Sequence, residues 1–74
     1  MTRKFTVVLE PGEDGFFLVS CPALRGCRSQ GKSREEALRN IREAIEVFVE
    51  SLEADGEPIP EEIAEYTAVE VEAA

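Results

Sequence analysis

The sequence predicts an α+β fold: a two-layer β-β-β-α-β unit whose antiparallel sheet packs on one long helix. Three observations lead there. Two short runs near the start alternate with the period of a strand. One long stretch repeats apolar residues at helical spacing. Glycine, proline and small polar residues punctuate the boundaries. At 74 residues the chain is long enough for one domain, 1–74, with a thin core. A chain of this size buries only about 60% of its unfolded surface, so self-association into a dimer or tetramer is expected to add stability.

The first strand is expected near 4–10. Phe5, Val7 and Leu9 share one face and Thr6 and Val8 the other, in a run rich in β-branched and aromatic residues. Pro11-Gly12-Glu13-Asp14-Gly15 breaks the pattern and reads as a hairpin link. The second strand is expected near 16–21, with large apolar groups on both faces, as a central strand requires. Pro22 cannot donate to a ladder and ends it. A short polar third strand is expected near 28–31.

The helix is expected near 34–55. Ser33 followed by Glu36 forms a capping box, hydroxyl to the N3 amide and carboxylate back to the cap amide. Leu38, Ile41, Ile45, Phe48 and Leu52 then fall on one stripe, flanked by Ala37, Ala44 and Val49. Glu36, Arg39, Glu43, Glu46 and Glu50 lie opposite. Val47 falls toward solvent, where a single apolar residue needs no explanation, or where a second subunit could meet it. Asp55-Gly56 closes the helix, Gly56 supplying the left-handed position. A linker follows near 56–61, held extended by Pro58 and Pro60. Glu61 to Glu65 can form one helical turn, and Tyr66 to Val71 alternates as a fourth strand near 66–71, pairing with its own sheet or with another chain.

Charge is unevenly divided. Residues 1–32 hold five bases and three acids, whereas residues 33–74 hold three bases and thirteen acids, for a net charge of −8. Such a chain repels phosphate backbones, so no direct nucleic-acid binding is expected, and a basic protein partner would suit it. An acidic surface also serves solubility alone. The longest purely apolar run, Phe16 to Val19, is far short of the roughly 20 residues of a membrane span. With no signal peptide visible, a cytoplasmic location is expected.

Catalytic chemistry is not in view. The chain has no histidine, which removes the usual general base, the Ser-His and Cys-His nucleophile systems and most catalytic zinc sites. Cys21 and Cys27 are too far apart in sequence for a C-x-x-C pair; a disulfide across the loop is geometrically feasible, but a cytosolic thiol stays reduced. Cys21 continues the apolar face of its strand and reads as a buried structural thiol. The glycines form neither a Walker loop nor a dinucleotide fingerprint. Glu13 and Asp14 read as a polar turn, and the remaining acids as a solvated face. No enzyme activity, cofactor or metal is expected.

One ordered set of residues does point to a family. Thr6 to Pro11, Gly15 with its apolar strand, and Val19-Ser20-Cys21-Pro22-Ala23-Leu24 followed by Gly26-Cys27 resemble the HicB antitoxin family. Ser29-Gln30-Gly31, Ser33 with Glu35-Glu36-Ala37, Asn40-Ile41 with Glu43-Ala44-Ile45, Leu52, Asp55-Gly56, Pro58 and Pro60 continue the match. Cys21, Pro22, Leu24, Gly26, Cys27, Ser33 and Glu36 form its structural signature here. Arg25 stands where the family commonly has proline. The resemblance implies a truncated ribonuclease-H-like fold and a partner, a small basic HicA-type toxin that cleaves messenger RNA and that the antitoxin binds and masks. Glu43, Glu46 and Glu50 are the candidate toxin-binding residues. Many HicB proteins add a C-terminal operator-binding domain; this sequence ends at Ala74, so operator binding is not expected of it. Two other roles fit the residues: an orphan homo-oligomeric scaffold or regulator with no toxin, and a metal-dependent nuclease retained from the fold. A neighbouring reading frame for a short basic chain separates the first from the toxin partner, and RNA cleavage with Mg²⁺ or Mn²⁺ tests the second.

Overall fold

The computed structural model describes residues 3–61 and 67–73. Strands β1 (Val8–Pro11), β2 (Phe17–Ser20) and β3 (Arg28–Gly31) precede helix α1 (Arg34–Ala54). The sheet is antiparallel in the order β1-β2-β3, with Leu9 opposite Val19 and Val19 opposite Ser29. The second strand is central, as its two apolar faces predict. Only one face is covered, however, and Leu18 on the other stands 45% exposed.

β1 begins at Val8 rather than near Lys4, and register explains why. Val8 pairs with Ser20, so continuing the ladder backward would set Val7 against Cys21 and Thr6 against Pro22. Cys21 N–H faces the other neighbour, bonding the Cys27 carbonyl at 2.9 Å, so the next donor toward β1 would fall at Pro22, which has none. Pro11 is the last residue of β1 rather than its breaker. An edge strand tolerates proline, because one side of it makes no ladder bonds. Beyond it, Asp14 (φ 60°) and Gly15 (φ 77°) both adopt left-handed backbone, and Phe16 N–H reaches the Glu13 carbonyl at 3.3 Å. This is the primed turn whose twist matches a hairpin, with the Asp-Gly pair it favours.

α1 packs chiefly on β3 and next on β2. The Ser33 hydroxyl accepts from the Glu36 amide at 3.1 Å, capping the helix. The reciprocal bond differs from expectation: the Glu36 carboxylate accepts from the Lys32 amide at 3.2 Å instead of the cap amide. At the far end, Gly56 (φ 67°) turns the chain so that its amide bonds the Glu53 carbonyl and the Glu57 amide bonds the Leu52 carbonyl. This pair of bonds is a Schellman motif.

Val19, Cys21, Leu24, Cys27, Ala37 and Ile41 form the buried core. Of the predicted helical stripe, Ala37 and Ile41 are buried, whereas Ile45, Phe48 and Leu52 are half-buried. The cause is length. A helix of 21 residues runs about 30 Å, while strands of four residues extend only about 13 Å. The sheet holds the first half of α1 and leaves the second half overhanging.

Of the fourth strand expected over 66–71, residues 67–71 form none. Val69 and Val71 are 82% and 83% exposed; without a ladder partner, an alternating segment has nothing to make it a strand. Tyr66, and residues 62–65 of the expected helical turn, lie outside the described residues.

The helix start sits directly on Gly31. A methyl group added there would lie 2.8 Å from the Ala37 Cα and 2.8 Å from the Glu36 carbonyl carbon, so α1 approaches β3 closely only because Gly31 has no side chain. Gly31→Ala is expected to destabilise the fold by about 1–3 kcal/mol and Ser33→Ala by about 1 kcal/mol. Urea melts followed by circular dichroism would read both. A Gly31→Ala midpoint equal to the parent's would show that α1 does not rest on this contact.

Candidate functional site

Two features set the surface: the loop between β2 and β3, and the overhanging half of α1. The loop is closed by its own backbone. Cys21 N–H bonds the Cys27 carbonyl at 2.9 Å, Leu24 N–H the Cys21 carbonyl at 3.1 Å, and Cys27 N–H the Leu24 carbonyl at 2.9 Å. Gly26 takes φ 85°, so a left-handed residue turns the chain back into β3. Leu24, 1% exposed, plugs the loop into the core, while Pro22 and Arg25 face solvent. Cys21, Leu24, Gly26 and Cys27 thus act together as a folding unit. Ser33 and Glu36 act separately at the helix start.

Cys21 and Cys27 are both buried and are not joined in a disulfide. Burial first, and then the neighbouring Cys21 thiol, push the Cys27 thiol above its ordinary value of 9.0. A thiol so placed stays protonated and is a poor nucleophile. Among the described residues, no polar or charged side chain is buried and no group of three or more potential ligands could hold a metal ion.

α1 runs back antiparallel to β3. Near its start, Asn40 donates to the Gln30 carbonyl at 2.8 Å; further on, Phe48 and Leu52 draw level with Gly26, Cys27 and Arg28. Two open grooves result. One lies between α1 and the β3 edge, with Ala44, Val47, Phe48 and Leu52 along it and Glu43, Asp55 and Glu57 at its margin. The other lies between α1 and residues Phe5–Val7, lined by Leu38, Ile41, Ile45 and Val49 and bordered by both signs of charge, Arg3, Lys4 and Arg42 with Glu46, Glu50 and Glu53.

The three candidate toxin-binding residues are all exposed and share the outer face of α1 by helical spacing. They serve different margins: Glu43 borders the β3-side groove, whereas Glu46 and Glu50 border the other. Val47 is 65% exposed and is not isolated, because Ala44 and Phe48 continue its surface. Sequence reasoning left out Asn40, Asp55 and Glu57 as surface-forming residues. For Asp55 and Glu57 a signal existed: acids beside a helix C-terminus run against its macrodipole. Asn40 looks like any polar helix residue until β3 is placed beside it.

A family model described as the HicB-like antitoxin of bacterial toxin-antitoxin systems matches residues 5–72. Among curated proteins, a UPF0150 protein of Thermoplasma acidophilum is 48% identical over 66 residues, covering 89% of this chain and 96% of that one. The protein named Antitoxin HicB 1 of Photorhabdus laumondii is 39% identical over 57 residues, covering 77% of this chain and 37% of that one. Among solved structures, the N-terminal domain of the Burkholderia pseudomallei antitoxin HicB superposes with a TM-score of 0.69 at 29% identity, covering 89% of this chain and 72% of that one.

The raised Cys27 value carries a sign. The folded state holds its proton more tightly than the unfolded state, so the stabilisation is complete below the ordinary thiol value and is lost as pH rises through the raised folded value. The urea midpoint of the parent is therefore expected to fall more between about pH 7.5 and about pH 10 than that of Cys27→Ala. Equal falls in the two proteins would remove Cys27 as the cause.

Proposed function

The chain belongs to the HicB-like antitoxin family of bacterial toxin-antitoxin systems, and from that premise we propose that it binds and masks a small, basic HicA-type toxin that cleaves messenger RNA. The supporting observation is the concentration of thirteen acids in residues 33–74, beside half-buried apolar residues on an overhanging helix. Charge of one sign speeds encounter with the opposite sign, and apolar surface then holds the complex. In this role Glu43, Glu46 and Glu50 steer the toxin in. The chain itself performs no catalysis, needs no cofactor and acts in the cytoplasm. No helix among the described residues is long and apolar enough to cross a membrane.

A second role, an orphan homo-oligomeric scaffold or regulator, is favoured by one observation. Val69 and Val71 stand exposed in an alternating segment, which could complete a strand ladder on another copy. Self-association is compatible with toxin binding, so the two roles part only on the toxin.

Titration calorimetry against a purified small, basic HicA-type toxin, sought first in the neighbouring reading frame, with RNA cleavage followed in parallel, is the deciding experiment. Binding at about 1 μM or tighter that abolishes cleavage is expected; no heat and undiminished cleavage would leave the scaffold role in its place. The triple substitution Glu43→Gln, Glu46→Gln and Glu50→Gln is expected to slow association about tenfold at low salt, with less effect at high salt. An unchanged on-rate would discharge that face from the role.

A further inference from the structure

We propose that the groove between α1 and the outer edge of β3, centred on Val47, is where the basic partner seats, taking an apolar side chain rimmed by lysine or arginine. The inference rests on the antitoxin role and assigns it a place.

Exposure comes first. Val47 is 65% exposed on a helix whose other large apolar side chains are at least partly covered. It stands beside half-buried Ala44, Phe48 and Leu52, so the apolar surface is continuous rather than scattered. A continuous apolar strip with a polar margin is the form of an interface core.

Charge then selects the occupant. The charged side chains facing this groove are Glu43, Asp55, Glu57 and Arg28, three acids against one base. The far end of the groove is also the C-terminus of α1, where the helix dipole adds negative potential. The last turn has no basic residue to offset it. A second copy placed symmetrically here would set these acids against their own counterparts, which is unfavourable. A basic partner would instead neutralise them. The opposite groove, bordered by Arg3, Lys4 and Arg42 as well as acids, makes no such selection.

The β3 edge decides the manner of docking. The Asn40 amide already bonds the Gln30 carbonyl, so an incoming strand would have to share that acceptor with it. Side-chain insertion makes no such demand, and Val47, Phe48 and Leu52 offer it a floor.

The test uses the full chain and a purified small, basic HicA-type toxin, with kinetics followed by surface plasmon resonance. Val47→Arg and the uncharged Val47→Asn are both expected to weaken binding about tenfold or more, chiefly by faster dissociation. Ser51→Arg, an exposed neighbour in the same groove, should do likewise, whereas Leu18→Arg on the open sheet face should bind as the parent does. Circular dichroism melts would confirm that each variant folds. Parental affinity in Val47→Arg and Ser51→Arg, with the parent binding well, would overturn the groove assignment and leave the antitoxin role standing. Loss of self-association in Val47→Arg with toxin binding intact would overturn it too, giving the groove to a second copy. Failure of the parent itself to bind would overturn both.

Discussion

The fold depends on one close approach, that of the start of α1 to Gly31. Ala37 is fully buried there, and the absence of a side chain on Gly31 lets the helix backbone come down on the β3 backbone. The cap at Ser33 fixes where the helix begins, and Asn40 ties its second turn to Gln30. Three successive constraints therefore define the helix axis within its first two turns. None is available to the last three, which are held by whatever packing the sheet and the β2-β3 loop can reach.

The loop extends that reach. With strands of four residues, β2 and β3 alone would leave Ile41 near the end of the core. The backbone bonds from Cys21 to Cys27 fold the loop into a continuation of the ladder, and Leu24 fills the space beneath. Each buried side chain of this size contributes about 1.5–3 kcal/mol, a large fraction of what a domain this small can hold. The same economy leaves Phe48 and Leu52 half-covered. Structural need and available surface come from the same shortage of sheet.

Much of this was legible in the chain. Ser33-x-x-Glu36, the stripe through Ile41, and Asp55-Gly56 placed α1 to within a residue of Arg34–Ala54, because caps and helical periodicity act locally. The central position of β2 followed from its two apolar faces. The start of β1 was not legible, because Phe5 to Val7 have strand character and where the ladder begins is decided across the sheet, where Pro22 follows the end of β2. Residues 67–71 mislead in the same way: alternation records a capacity to pair, and only an available edge realises it. In the candidate surface, the acids of α1 were visible as a run, but their division between two grooves depends on where β3 and Phe5–Val7 stand. Val47 could not be told from a stray apolar residue without Ala44 and Phe48 beside it in space.

The end of α1 ties folding to function. Asp55 and Glu57 gather where the helix dipole is already negative, and with no base in the last turn each charge there is unfavourable by roughly 0.3–1 kcal/mol. The Schellman bonds at Gly56 close the helix without help from these side chains, so the backbone supplies no reason for acids at this end. A domain with a thin core has little stability to spare. A cation brought into the β3-side groove would convert this local repulsion into attraction, making the free chain's least favourable charges its best contacts in a complex. Charge placed against the dipole therefore favours a state with a cation in the groove over the isolated chain.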